Sequence, residues 1–146
     1  MAVNAVVIYE SLTGTTAKAA RLIGDGLTAR GLVTRVYAVD NIDLQALSDA
    51  DLVIVGGWTD GIVFFGQKPG RPWRLSGMPA IRGKKAVVFA TYAVDPGKVL
   101  EKLVAIVEER GAEVLGGRTI RRGRVAESAA EFVEQVLDAV GADATS

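Results

Sequence analysis

Apolar and polar positions divide this chain into runs of two kinds. Short, nearly unbroken apolar runs suit strands that are covered on both faces, as in a parallel sheet. Val3 to Tyr9 is the first such run, and Asp51 to Gly57, with Leu52-Val53-Ile54-Val55 unbroken, is the third. Lys85 to Thr91 is the fourth. Val33 to Val39 alternates well enough to be the second strand, and Ala112 to Ile120 the fifth. Gly116-Gly117 interrupts that last run, which predicts a bulge or a close backbone approach. Between the strands, apolar positions recur three and four apart and predict helices. Ala20, Ile23 and Leu27 form the stripe of a helix from about Thr16 to Arg30, stopped by Gly31 as a left-handed cap. Val99, Leu100, Leu103, Val104, Ile106 and Val107 form the stripe of another, opened by Pro96 and ended by Gly111. Phe132, Val133, Val136, Leu137 and Val140 form the stripe of a last helix, about Val125 to Val140, followed by a frayed tail from Gly141 to Ser146. Asp40 to Ala50, polar apart from Leu44 and Leu47, is a short helix or a turn.

Strands alternating with helices predict an α/β domain with a parallel sheet. In such open sheets, ligands bind beyond the carboxyl ends of the strands, where the strand order reverses. Three loops leave carboxyl ends and carry unusual residues: Ser11–Thr16, Gly57–Gly66 and Thr91–Gly97. They converge if strands one, three and four are neighbours. The stretch from Gly57 to Gly83 holds Pro69, Pro72, Pro79, both tryptophans, two phenylalanines and many glycines. That density argues against a regular helix through it, although a short helix fits Arg71 to Ser76.

Composition narrows the chemistry. A chain of 146 residues suits one domain, expected to span 1–146. No apolar segment reaches the ~18 residues of a membrane span. Met-Ala-Val-Asn precedes the first apolar run without a basic region, so no signal peptide is expected and the location is expected to be cytoplasmic. The absence of cysteine and histidine excludes disulfides, thiolate metal sites and histidine acid–base catalysis. Formal charge is zero, yet from Gly61 to Val94 there is no acidic residue, while Lys68, Arg71, Arg74, Arg82, Lys84 and Lys85 are basic. Arg118, Arg121, Arg122 and Arg124 form a second basic cluster. Both clusters read either as solvated faces or as docking surface for an acidic partner or phosphorylated ligand.

Ser11-Leu12-Thr13-Gly14-Thr15-Thr16 lies between the first strand and the first helix, with hydroxyls at four of six positions. The first N–H groups of a helix lack intrahelical acceptors and carry partial positive charge. With the hydroxyls, they predict a phosphate cradle that needs no cation. Neither a Gly-x-x-x-x-Gly-Lys-Ser/Thr loop nor a Gly-x-Gly-x-x-Gly fingerprint is present. Glu10 stands alone where a response-regulator site would need an acidic pair.

The loop resembles that of the flavodoxin family, whose phosphate loop runs Ser/Thr-x-Thr-Gly-x-Thr after the first strand. The resemblance implies a three-layer α/β/α fold with a five-stranded parallel sheet in the order 2-1-3-4-5. It also implies noncovalently bound flavin mononucleotide (FMN) that carries single electrons. Ser11, Thr13, Thr15 and Thr16 would hydrogen-bond the phosphate, with backbone N–H groups from Leu12 to Thr16, and Gly14 would let the backbone close around it. The family's second loop has an aromatic residue where this chain has Asp60, in Gly56-Gly57-Trp58-Thr59-Asp60-Gly61. Trp58, Phe64 and Phe65 are the candidates to stack on the flavin in its stead. Gly61 falls where the family has the glycine whose peptide flips. In the third loop, Tyr92 is the candidate outer aromatic, with the backbone of Thr91 to Ala93 reaching the flavin's pyrimidine edge. Flavodoxins are usually acidic and dock on basic partners. This neutral chain predicts redox partners with an acidic docking surface, no nucleic acid, and a monomer or weak dimer. Two other readings stay open: an FMN-dependent NAD(P)H:quinone-type reductase, and a flavin-free regulatory or binding module of the same fold.

Overall fold

The computed structural model describes residues 3–11, 14–60, 68, 69, 79 and 81–145. Its elements run β1 (Asn4–Tyr9), α1 (Thr15–Ala29), β2 (Val33–Ala38), α2 (Leu44–Asp49), β3 (Leu52–Asp60), β4 (Lys68–Pro69), β5 (Lys85–Tyr92), α3 (Val99–Glu109), β6 (Glu113–Arg121) and α4 (Val125–Thr145). Five strands pair in parallel in the order β2-β1-β3-β5-β6, and two-residue β4 pairs antiparallel with the end of β3. Leaving β4 aside, this is the expected order 2-1-3-4-5.

The unbroken apolar runs are explained by cover on both sides. Along β1, Ala5 and Val7 face one layer and Val6 and Ile8 the other. The first layer is built by α1 and α4, which bury Ala20, Ile23, Leu27, Phe132 and Val136 against Leu52, Ile54, Val87 and Phe89. The second is built by α2 and α3, which bury Leu47, Val99, Leu103 and Val107 against Val53, Val55, Ala86 and Val88. Each fully buried aliphatic side chain contributes roughly 1.5–3 kcal/mol.

Glycines inside α1 let it approach closely. A Cβ on Gly24 would come within 2.5 Å of Val36 on β2, and one on Gly26 within 2.7 Å of Val133 on α4. The predicted irregularity in the last strand is a bulge at Leu115: Ala86 pairs with Val114, but Val87 pairs with Gly116. Gly117 is also a close approach, since a Cβ there would meet Val88 Cγ2 at 2.8 Å.

Three expectations are corrected. α3 starts at Val99 rather than at Pro96, because Gly97 takes a left-handed φ of 52° and breaks the helical path. Asp95 accepts a hydrogen bond from Gly97 N–H at 3.0 Å and fixes that turn. β3 runs three residues past Gly57, held by Trp58 against Thr91 on β5 and by Thr59 and Asp60 against β4. α4 continues to Thr145 rather than fraying from Gly141. One glycine inside a helix costs only about 1 kcal/mol relative to alanine, and the alanines around it favour the helix. The segment 40–50 resolves into α2, which Asp43 caps by accepting from Gln45 and Ala46 N–H at 3.0 and 3.1 Å. The helix expected near Arg71 to Ser76 lies outside the described residues. No helix among the described residues is long and apolar enough to cross a membrane.

Candidate functional site

Because β1, β3 and β5 are neighbours, their carboxyl ends lie side by side at strand spacing, roughly 4.8 Å apart. A cleft of about 160 Å³ opens there, lined by Thr15 from the first loop, Trp58 and Thr59 from β3, Thr91, Tyr92 and Ala93 from β5, and Arg122. Six of these seven residues are sequence-predicted site residues. The sequence places Arg122 only in a basic cluster. Its signal was position, since it follows the carboxyl end of the last strand as the other loops follow theirs.

The first loop is built around two residues. Gly14 immediately precedes α1 with φ 93° and ψ −10°, a conformation that favours glycine. Ser11 Oγ accepts from the N–H of Gly14 at 3.2 Å and of Ala17 at 3.3 Å, closing the turn onto the helix. The N–H groups of Thr15 and Thr16 take no acceptor among the described residues. They are the unpaired donors that an anion would meet at a helix start. Leu12 and Thr13 lie outside the described residues.

Thr16 is placed differently from Thr15. Its side chain is buried, and its Oγ1 lies 2.7 Å from Thr91 Oγ1, which is buried as well. Its hydroxyl therefore ties the start of α1 to β5, which leaves its N–H as the group open to an acceptor. Thr59 continues the tie by donating from Oγ1 to Thr91 O at 2.8 Å. Thr91 Oγ1 is positioned to donate to Gly57 O, at 3.5 Å. Thr91 thus joins all three segments.

The aromatic positions also sort. Trp58 lines the cleft, and its Nε1 is buried without a hydrogen-bond partner among the described residues. An unpaired buried donor costs about 1–3 kcal/mol, so this N–H suits a ligand with an acceptor. Tyr92 lines the cleft from the β5 side, partly buried. Asp60 ends β3, paired with Lys68. Gly61, Phe64 and Phe65 lie outside the described residues.

A second, polar cavity of about 270 Å³ adjoins the first and shares Tyr92 with it. Arg118, Thr119, Arg121, Arg124, Glu127, Ser128 and Glu131 complete its lining. Arg118 pairs with Glu131, and Arg124 with Glu127 at 2.6 Å. Glu127, by its hydrogen bond first and its charge second, holds the Arg124 guanidinium above its usual range. Lys84 and Lys85, part of the acid-free run in the sequence, sit at the opposite end of the sheet. Lys84 Nζ donates to Ser48 O and Ala50 O at 2.9 and 2.8 Å, and Lys85 pairs with Glu113. No cluster of metal-ligating side chains occurs among the described residues.

Comparison with known proteins places this geometry. A family model described as flavodoxin matches residues 7–139. A flavodoxin from Clostridium beijerinckii is 28% identical over 92 residues, which cover 63% of this chain and 67% of the relative. Among solved structures, oxidised flavodoxin 1 from Bacillus cereus superposes with a TM-score of 0.66 at 22% identity, covering 92% of this chain and 97% of that one. The two-electron-reduced flavodoxin of Megasphaera elsdenii gives a TM-score of 0.66 at 20% identity, covering 87% and 98%.

Proposed function

Because this chain belongs to the flavodoxin family, we propose that it carries electrons one at a time between redox partner proteins on noncovalently held FMN. Flavodoxins bind FMN, and the flavin when bound supplies the reversible uptake of electrons. What remains for the protein is to hold, orient and shield it. The observation that carries the proposal is the convergence of Thr15, Trp58, Thr59, Thr91, Tyr92 and Ala93 on one cleft, next to a helix start with two N–H groups that have no acceptor among the described residues.

The residues fit the group. Thr15 and Thr16 N–H, with the Ser11, Thr13 and Thr15 hydroxyls and the backbone of Leu12 and Gly14, would hold the phosphate. Hydrogen bonds to a charged group contribute about 1.5–3 kcal/mol each, and the helix dipole adds about 0.3–1 kcal/mol, rising to ~2 when partly buried. Trp58 and Tyr92 are the aromatic faces for the ring system, each aromatic contact adding about 0.5–1.5 kcal/mol beyond its burial. The Trp58 indole N–H would gain its missing acceptor. Thr59, Asp60, Gly61, Thr91 and Ala93 would supply backbone groups to hold the ring.

Titration of the purified apoprotein with FMN, followed by quenching of flavin fluorescence, tests the binding. Stepwise photoreduction of the loaded protein then tests the electron count. One-to-one binding and two resolved one-electron stages are expected. Failure to bind FMN would return the chain to the flavin-free reading. Steady-state reduction of a quinone by NAD(P)H with the isolated protein would replace the carrier by a reductase.

A further inference from the structure

The face beside the cleft carries more arginine than its own acids can pair. β6 ends at Arg121, in register with Tyr92 on β5, and the chain turns through Arg122 to Arg124 into α4. Arg121, Arg122 and Arg124 are exposed. Arg118 is engaged by Glu131 and Arg124 by Glu127. Arg121 and Arg122 have no carboxylate partner among the described residues. Four arginines against two glutamates leave a local excess of two positive charges in a chain whose formal charge is zero. Asp95, an exposed carboxylate past β5, accepts from Gly97 N–H.

The two unpaired guanidiniums bracket Tyr92. Arg122 lines the cleft on one side, and Arg121 lines the second cavity on the other. A site for one small anion would gather buried donors around a point. These donors are exposed and divided between two openings, the arrangement that steers and registers a large surface of opposite charge.

We infer that this arginine face is the docking surface for an acidic electron-transfer protein, whose carboxylates engage Arg121 and Arg122 beside the Tyr92 edge of the cleft. The electron step, though not the docking, rests on the FMN reading proposed above. One electron leaves the reduced partner and is taken up by the oxidised flavin.

The test uses the FMN-loaded protein and a reduced, strongly acidic plant-type [2Fe–2S] ferredoxin as the probe, mixed in a stopped-flow instrument. Ferricyanide and hexaamminecobalt(III) serve as small oxidants of opposite charge for the reduced protein. Arg121→Glu is compared with Arg35→Glu, the same charge change at an exposed position on β2. Arg121→Glu is expected to slow the ferredoxin reaction about tenfold at low salt, with the difference shrinking below about twofold at ~0.5 M salt. Arg35→Glu is expected to leave the rate within about twofold, since a charge beyond a Debye length is screened. Equal effects of the two variants, or a ferredoxin rate indifferent to salt, would overturn the inference. So would a variant that slows ferricyanide but not ferredoxin, which points to a small-anion site. Binding of the same ferredoxin to immobilised apoprotein gives a readout without flavin. Binding that depends on Arg121 in a protein that takes no FMN would sink the cofactor reading and keep the docking surface.

Discussion

The Thr16–Thr91 hydroxyl pair offers the sharpest test of how the cleft is held together. The two oxygens are 2.7 Å apart, and both residues are at most 3% exposed. Each hydroxyl has one proton. Gly57 O is within reach of Thr91 Oγ1, at 3.5 Å, so one orientation satisfies both protons. Thr16 donates to Thr91, and Thr91 donates to Gly57 O. The two isosteric substitutions are then unequal. Thr16→Val removes one donor and leaves the Thr91 proton on Gly57 O, a loss of one net hydrogen bond, about 1 kcal/mol. Thr91→Val leaves a buried Thr16 hydroxyl with no acceptor among the described residues, about 1–3 kcal/mol, and loses the contact to Gly57 as well. Once Thr91 is valine, removing the Thr16 hydroxyl also removes the stranded donor. The double variant is therefore expected to be no less stable than Thr91→Val alone, with a coupling of about 1 kcal/mol or more.

Urea unfolding of the four apoproteins measures this directly, and thermal midpoints follow at roughly 3 °C per kcal/mol for a chain of this size. The same four proteins, titrated with FMN, report whether the tie sets the distance between the first and third loops. Affinity should fall about three- to tenfold in either single variant. Strict additivity of the two stability changes would refute the proton assignment. Unchanged FMN affinity in all three variants would refute the placement of the cleft.

Other substitutions separate backbone, packing and binding effects. Gly56→Ala would put a Cβ 2.0–2.5 Å from the ring of Phe89, which is fully buried and wedged edge-on against Phe132. Overpacking of this kind costs about 1–3 kcal/mol, readable in urea, and Phe89→Leu in the same chain should recover part of it. Gly14→Ala meets nothing within 4 Å, so its cost is left-handed strain alone, about 1–2 kcal/mol. Gly31→Ala carries the same strain (φ 94°) at the far end of α1, so it should match in stability while leaving FMN affinity unchanged. Trp58→Phe loses apolar area but also the unpaired indole N–H, so apoprotein stability should shift by less than ~1 kcal/mol. FMN affinity should drop severalfold, as read by fluorescence titration.

The sequence showed most of the sheet, because residues covered on both faces leave unbroken apolar runs such as Leu52 to Val55. It showed the three loops for the same reason, since each begins where such a run stops. What it could not show is direction. Thr15 and Thr16 are the same residue type on consecutive positions, yet one lines the cleft and the other is buried against Thr91, because α1 turns by about 100° between them. The Gly97 turn was hidden behind Pro96, a residue that suits a helix start and a turn equally well. Lys84 looked like one more surface cation, although its ammonium caps the carbonyls of α2. Charge counts along a chain do not separate spent cations from free ones, and only the pairing of Arg118 and Arg124 reveals Arg121 and Arg122 as the surplus.

The ties around Thr91 bear on how the cleft responds to its ligand. Thr16 reaches Thr91 from the first loop, Thr59 reaches the Thr91 carbonyl from β3, and β5 itself is anchored between β3 and β6. The base of the cleft is therefore set by sheet spacing and buried hydrogen bonds, which do not depend on a ligand. The first loop is different. Its described contacts rest on Ser11 Oγ, which accepts from Gly14 and Ala17 N–H. A phosphate held there would meet the Thr15 and Thr16 N–H groups, which are separate from the two N–H groups that Ser11 engages. Ser11→Ala separates the two roles. If Ser11 only closes the turn, alanine should lower apoprotein stability by about 1 kcal/mol, the usual loss for a helix cap, with FMN affinity falling no more than that disorder requires. If it also touches the phosphate, the affinity loss should exceed the stability loss. Inorganic phosphate as a competitor of FMN reads the difference, because it reports on the loop without the ring.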